Sequence, residues 1–184
     1  ELTTMAIHSL SKTLDNLTLL NQSNKGVLGF DLQEVDIEKE CKKIATEINS
    51  IDDYNGRILT NFDIKEKTVE MDTKLLQHIL SNLIVNALKF SPENKKVEFF
   101  AKTENGNIEF KVKDQGIGIP EEELNQIFES FYRGTNTKDI KGTGLGLSIV
   151  KRCVDVLKGK INIKSQLEKG TEAIVTIPYE RSKP

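Results

Sequence analysis

Two asparagines interrupt an otherwise apolar stretch, NLIVNALKFS, over residues 82–91. Because they are four residues apart, Asn82 and Asn86 lie on one face of a helix, and Lys89 falls on the same stripe. Asparagine lowers helix stability, and burying its amide without partners costs about 1–3 kcal/mol. An amide oxygen can bind Mg²⁺, and the lysine could meet an adjacent phosphate. On this pattern alone, a metal and phosphate site and a helix cap or buried polar bridge both remain open.

A first glycine-containing turn, DQGIGIP, occupies residues 114–120 directly after a predicted strand. Its glycines, Gly116 and Gly118, allow the backbone to approach a ligand closely. Asp114, at the end of the strand, could accept a hydrogen bond from an exocyclic amine. In isolation such a turn is more simply interpreted as an ordinary loop.

A second glycine-rich turn, KGTGLGLS, occupies residues 141–148 and runs straight into a predicted helix. The first amides of a helix are unpaired and the helix dipole favours negative charge there, so glycines at this point make an anion site. The turn has neither the Gly-Lys-Ser/Thr end of a Walker A loop nor the GxGxxG spacing of a dinucleotide-binding βαβ unit. It therefore predicts a phosphate site of another kind.

Both strands and helices are predicted around these three segments and must hold them in position. Periodicity predicts strands at 30–37, 57–63, 68–71, 96–102, 108–113, 160–165 and 172–177, and helices at 38–51, 73–90, 121–126 and 145–157. The strands at 57–63 and 68–71 are predicted to pair as a meander, and the last two pairs of strands as hairpins. Because strands and helices do not alternate strictly, we predict an α+β fold: a two-layer sandwich with helices on one face of a mixed β-sheet.

The first residues carry a heptad-type seam of apolar side chains at Ile7, Leu10, Leu14 and Leu17. A single helix of this length is marginal alone, so the seam predicts packing against partner helices, with docking on its own domain as the alternative. The polar run at 21–26 predicts a linker or a helix end. The chain starts inside the helical pattern without a Met, so we expect further residues upstream.

Composition narrows the class of protein. A net charge of −2 at pH 7 argues against a broad nucleic-acid surface. No run of 18 or more apolar residues occurs, so any membrane anchor is expected in upstream segments. Cys41 and Cys153 lie in apolar-periodic segments without CxxC spacing, which predicts buried free thiols in a reducing, cytoplasmic compartment.

The order and spacing of the motifs resemble the sensor histidine kinases of two-component systems. The N, G1 and G2 boxes of that family resemble residues 82–91, 114–120 and 142–147. Its F box resembles IFESFYR at 127–133, and its final glycine-threonine pair resembles Gly170 and Thr171. The resemblance is dense over residues 70–178 and continues more weakly back to residue 1.

The resemblance implies a site for ATP and Mg²⁺. Asn86 is expected to bind Mg²⁺ with support from Asn82, and Lys89 to contact a phosphate. Asp114 is expected to bind the adenine amino group, with Thr171 beside it through water. The other expected nucleotide-binding residues are Phe90, Gly116, Gly118, Ile119, Phe128, Phe131, Arg133, Gly142, Thr143, Gly144, Leu145, Gly146 and Leu147. Among these, the two phenylalanines of the F box are expected to anchor a lid over 119–143, and Arg133 to reach the γ-phosphate.

The implied activity is that of an ATP-dependent protein histidine kinase. Residues 1–28 would form the end of the second dimerisation-bundle helix and a linker, and residues 29–180 the ATP-binding domain. The acceptor histidine is expected upstream, because His8 is followed by a serine and occupies what resembles the second helix. The implied partners are a second copy, joined through the helical bundle, and the receiver domain of a response regulator, with no nucleic acid.

Two other functions remain open on the sequence. An ATP-hydrolysing machine of the same superfamily usually carries an acidic base one turn before the Mg-binding asparagine, where this chain has Asn82. A pseudokinase would bind nucleotide or a partner without catalysis. The intact motif residues Asn86 and Asp114 count against the second alternative.

Overall fold

A computed structural model describes residues 31–138 and 140–179. Its strands are β1 (Gln33–Asp36), β2 (Ile58–Asp63), β3 (Thr68–Met71), β4 (Val97–Glu104), β5 (Asn107–Lys113), β6 (Lys160–Gln166) and β7 (Gly170–Pro178). Its helices are α1 (Ile37–Asn49), α2 (Thr73–Phe90) and α3 (Gly146–Val156), with short 3-10 turns at Asp52–Tyr54, Glu121–Glu123 and Thr135–Thr137.

Five strands form one mixed sheet in the order β2-β4-β5-β7-β6. β2 runs parallel to β4, and the other neighbours are antiparallel. Side chains on β4 alternate between buried and half-buried positions, with Val97, Phe99 and Ala101 buried. The helices cover this buried face, since α2 contacts β4 and β5 and α3 contacts α2 and β6. The predicted two-layer α+β sandwich is confirmed.

The helix that carries the two asparagines is fixed at both ends. At its start, Asp72 Oδ1 accepts hydrogen bonds from the amides of Lys74 (3.0 Å) and Leu75 (3.1 Å), while Oδ2 accepts one from the amide of Asp31 (3.1 Å). Loss of such a cap typically costs about 1 kcal/mol. At its end, Ser91 is extended, as expected for a residue before a proline.

The predicted meander is wrong. β3 pairs antiparallel with β1 in a separate two-stranded sheet, whereas β2 joins the main sheet beside β4. The turn between β2 and β3 is held by a distant side chain, because Thr103 Oγ1 on β4 accepts hydrogen bonds from the amides of Lys65 (2.8 Å) and Glu66 (3.1 Å). Adjacency in sequence therefore did not reveal the pairing.

Other differences are smaller. Within the described residues, the strand predicted at 30–37 spans Gln33–Asp36, and the acidic helix predicted at 121–126 is a 3-10 turn at Glu121–Glu123. The hairpins β4–β5 and β6–β7 are confirmed. The bundle helix and linker predicted for residues 1–28 lie outside the described residues.

Both cysteines, Cys41 and Cys153, are buried free thiols, as predicted. Burial raises the pKa of the Cys153 thiol to about 12, so it stays protonated. Among residues 31–138 and 140–179, no helix combines the length and the apolar character needed to cross a membrane.

Candidate nucleotide-binding site

The three sequence motifs converge. The amide of Ile117, in the first glycine turn, donates to the carbonyl of Phe90 at the end of α2 (3.2 Å). A Cβ added at Gly146, the first residue of α3, would lie 3.3 Å from both Asn82 Oδ1 and Asn86 Nδ2. One at Gly142 would lie 2.6 Å from Lys89 Nζ. The end of α2 is thus the common wall against which both glycine turns pack.

Asp114 offers one carboxylate oxygen to a ligand. The residue is only 8% exposed, and its Oδ1 accepts hydrogen bonds from the amides of Gly116 (2.8 Å) and Thr171 (3.1 Å). Its Oδ2 accepts none from the described residues. Burial raises the pKa of this carboxyl, while the two backbone hydrogen bonds oppose the rise. The site therefore presents a fixed acceptor that suits an amine.

The glycine turn after β5 is compressed between two backbones. A Cβ at Gly116 would collide with the carbonyl of Phe90, and one at Gly118 with the carbonyl of Gln166. Gly118 also has φ +67°, a conformation that favours glycine. The amide of Glu168 closes the turn by donating to the carbonyl of Ile117 (2.8 Å). Close backbone packing leaves no room for a side chain at Gly116 or Gly118. The same packing fixes the position of Asp114.

The two asparagines face the start of α3. Asn82 Nδ2 donates to the carbonyl of His78 one turn earlier (2.8 Å), which leaves its Oδ1 on the side of Gly146. In the part of the chain that the structure describes, no side chain caps the N-terminus of α3. Unpaired amides and amide oxygens are therefore brought together, an arrangement that suits phosphate on one side and an oxygen-seeking cation on the other.

Lys89 adds a positive charge to the same place. Its Nζ lies 5.0 Å from the centre of the Phe90 ring. Burial lowers the pKa of Lys89, and the nearby guanidinium of Arg133 lowers it further. Within the described part of the chain, no carboxylate forms an ion pair with Lys89. A half-buried ammonium beside another cation favours a bound anion.

The segment expected to form a lid is held by its own polar contacts. Glu123 is 5% exposed and accepts hydrogen bonds from the amide (3.1 Å) and the hydroxyl (2.5 Å) of Thr135. Asn136 Nδ2 donates to the carbonyl of Gly118 (2.9 Å). The guanidinium of Arg133 donates to the carbonyls of Thr137 (2.9 Å) and Ile140 (2.7 Å). Arg133 therefore stabilises this segment internally, and its contact with a γ-phosphate stays a prediction.

The same segment also contacts the second glycine turn. Phe131 is 66% exposed and its amide donates to the carbonyl of Gly144 (3.1 Å), while Phe128 is half-buried. A Cβ at Gly144 would lie 2.6 Å from the carbonyl oxygen of Tyr132. Gly144 also has φ +72°, so the close contact and the conformation both require glycine. Leu145 is buried, whereas Thr143, Leu147 and Ile119 are at least partly exposed.

A family model described as histidine kinase-, DNA gyrase B-, and HSP90-like ATPase matches residues 71–181, a span that contains every element of this site. The chain belongs to this ATPase family. Sensor histidine kinase YkoH of Bacillus subtilis is 36% identical to it over 172 residues, which cover 90% of this chain and 37% of YkoH. Sensor histidine kinase WalK of the same organism is 31% identical, over 92% of this chain and 28% of WalK.

Solved histidine kinases share the fold. Full-length ShkA, in complex with AMPPNP, matches with a TM-score of 0.80 and 25% identity over 96% of this chain and 37% of ShkA. The catalytic domain of histidine kinase ThkA matches with a TM-score of 0.68 and 26% identity over 81% of this chain and 96% of that domain. The resemblance to the catalytic ATPase domain of sensor histidine kinases is confirmed.

Two polar residues of the candidate site were missed by the sequence analysis. Glu123 lies within a run of three glutamates, and nothing in the run distinguishes the buried member. Ser165 lies on β6, yet its hydroxyl contacts Ile119, Gly170 and Thr171. Because its partners come from the first glycine turn and the β6–β7 turn, only the folded structure reveals the contact.

Proposed function

We propose that this chain binds Mg-ATP and donates the γ-phosphoryl group to a histidine on a dimeric helical bundle, for relay to an aspartate of a response regulator. The main support is one site that combines the acceptor oxygen of Asp114 with the ammonium of Lys89 and the start of α3. Within residues 31–138 and 140–179, no carboxylate pairs with this ammonium and no side chain caps this helix. The fold shared with ShkA in complex with AMPPNP and the similarity to named sensor histidine kinases agree with this proposal.

In the proposed complex, each group of the chain acts by position and charge. Asp114 orients the adenine through its amine, with Thr171 beside it and Phe90 near the base or ribose. Asn86 supplies an oxygen to Mg²⁺ with support from Asn82, and bound Mg²⁺ would neutralise phosphate charge. Lys89 and the amides of the second glycine turn hold the phosphates. Phosphoryl transfer needs such positioning and electrostatic stabilisation more than a covalent step on the protein.

A hydrolytic ATPase of the same family is the competing function. It would need an acidic base near Asn86, yet the chain has Asn82 one turn earlier, and the Nδ2 of Asn82 is engaged with the carbonyl of His78. An amide does not accept a proton from water at neutral pH, so this position favours transfer over hydrolysis. The proposed partners are a second copy and a response regulator. Any membrane anchor is proposed to lie outside this chain.

The function is tested with γ-labelled ATP and a separately prepared dimerisation bundle that contains the acceptor helix. We expect the chain alone to bind ATP without becoming labelled, because transfer requires the acceptor nitrogen in line with the γ-phosphate at roughly 3–3.5 Å. Adding the bundle should produce an acid-labile label on its histidine. Release of inorganic phosphate without that label would indicate a hydrolase, and binding without either product would indicate a pseudokinase.

Asn86→Ala should weaken ATP binding mainly when Mg²⁺ is present. It removes an amide oxygen beside the start of α3, so we expect about a tenfold loss of affinity with Mg²⁺ and less than threefold in EDTA. Calorimetric titrations under both conditions measure the ratio. Asn61→Ala, on an exposed position of β2, is the matched control. Equal losses with Mg²⁺ and with EDTA would remove Asn86 from the metal site.

A further inference from the structure

The hydroxyl of Ser165 lies at the meeting point of three chain segments. Its Oγ is 2.9 Å from the amide nitrogen of Ile119, 3.0 Å from the carbonyl oxygen of Gly170 and 2.8 Å from Thr171 Oγ1. The first partner belongs to the glycine turn that follows Asp114, and the other two to the start of β7. Ser165 thus joins the two segments that surround the base-binding carboxylate.

The chemistry of these partners fixes the direction of each hydrogen bond. The amide of Ile119 can only donate and the carbonyl of Gly170 can only accept. A serine hydroxyl has one proton to donate and two lone pairs. All three contacts are satisfied together only when Ser165 donates to Gly170 and accepts from both Ile119 and Thr171. The proton of the Thr171 hydroxyl is therefore directed to Ser165.

This direction leaves Thr171 Oγ1 as an acceptor for any ligand. Its lone pairs take no hydrogen bond from residues 31–138 or 140–179. The amide of Thr171 also binds Asp114 Oδ1, so the same residue contacts both Ser165 and the carboxylate. The polar groups at this end of the site, Asp114 Oδ2 and Thr171 Oγ1, are then both acceptors. A purine with an amine at this edge can donate hydrogen bonds to these oxygens, whereas a carbonyl at the same position has no proton to donate.

We infer that Ser165 is a positioning residue that sets base specificity, by holding the Thr171 hydroxyl as an acceptor and so favouring a 6-amino purine over a 6-oxo purine. The inference rests on the proposed nucleotide site and adds a residue that does not itself touch the ligand. The preference requires direct contact between Thr171 Oγ1 and the base, because an intervening water could accept a hydrogen bond from the N1–H of a 6-oxo purine as readily as it donates one to the N1 of adenine.

The test compares ATP with inosine triphosphate, which carries a carbonyl at position 6 and a proton at N1. Ser165→Ala frees the Thr171 proton to turn toward the ligand, so the ratio of ATP to inosine triphosphate affinity should fall about fivefold. Ser165→Thr keeps a hydroxyl and should preserve the ratio. Asn162→Ala, at an exposed position of the same strand, is the matched control. A purely structural role would lower both affinities equally and leave the ratio unchanged, which would overturn the inference.

A double-variant cycle isolates the hydroxyl. In a Thr171→Val background, Ser165→Ala should leave the ratio of ATP to inosine triphosphate affinity unaltered. If Ser165→Ala lowered this ratio as much in the Thr171→Val background as in the original chain, the inference would be overturned. If Ser165→Ala does not fold, Thr171→Val alone serves, because an unchanged ratio would remove Thr171 from base discrimination. The full chain is measured first with ATP. Absence of ATP binding there would reject the proposed function, whereas ATP binding with an unchanged ratio rejects only the role of Ser165.

Discussion

Asp114→Asn should lower ATP affinity at least tenfold while the chain stays folded. The amides of Gly116 and Thr171 hold an oxygen at the Oδ1 position, so the new amide nitrogen must occupy the Oδ2 position. The ligand amine would then face a donor in place of an acceptor, and an unpaired buried polar group costs about 1–3 kcal/mol. Isothermal calorimetry measures the loss.

Stability distinguishes this loss from misfolding. Burial raises the pKa of Asp114, so at neutral pH its charged form is disfavoured in the folded chain. The neutral asparagine removes that cost, and the Tm of the variant should equal or exceed that of the original chain. Asp63→Asn, at an exposed position of β2, is the matched control. Unchanged ATP affinity in Asp114→Asn would exclude this residue from the base site.

Lys89→Met should reduce ATP affinity by roughly ten- to a hundredfold, because a hydrogen bond to a charged group contributes about 1.5–3 kcal/mol. Methionine keeps most of the length and the apolar stem but removes the charge. Adenosine has no phosphate, so its affinity should change less than twofold. Lys74→Met, at an exposed position of the same helix, is the matched control.

The pH dependence of ATP binding gives a second measure of Lys89. Its pKa is lowered in the free chain, and a bound phosphate would raise it. ATP affinity should therefore fall as the pH rises through the lowered pKa, and Lys89→Met should abolish this fall. Equal losses for adenosine and ATP in Lys89→Met would show that the lysine supports the fold and not a phosphate.

Local patterns in the sequence predicted the three α-helices of the described residues and most of the strands correctly, whereas the predicted acidic helix is only a 3-10 turn. Asp72 caps α2 and the glycines surround a shared site, because these features depend on short-range spacing. The meander failed because the partner of β2 lies about 40 residues away on β4 and the hydroxyl of Thr103 holds the connecting turn. The periodicity of a strand does not reveal which other strand it pairs with.

The same limit applies to the site. Asp114, Asn86 and Lys89 stand in recognisable motifs, and the structure brings those motifs together. Ser165 accepts a hydrogen bond from Ile119, which lies 46 residues away in the sequence. Glu123 stands in a run of three glutamates and binds Thr135, and the run itself gives no sign of this contact. Arg133 was expected at a phosphate, yet in the structure it donates to the carbonyls of Thr137 and Ile140. The hydrogen-bond partners of these side chains come from segments that only the folded structure brings together, so the sequence did not predict them.

The double hydrogen bonding of Asp72 has a mechanical consequence. One oxygen holds the first turn of α2, and the other holds the amide of Asp31 at the point where the chain enters the domain. A load on residue 31 is therefore shared between this carboxylate and the neighbouring β1–β3 ladder, both of which lead to the start of the helix that bears Asn82 and Asn86.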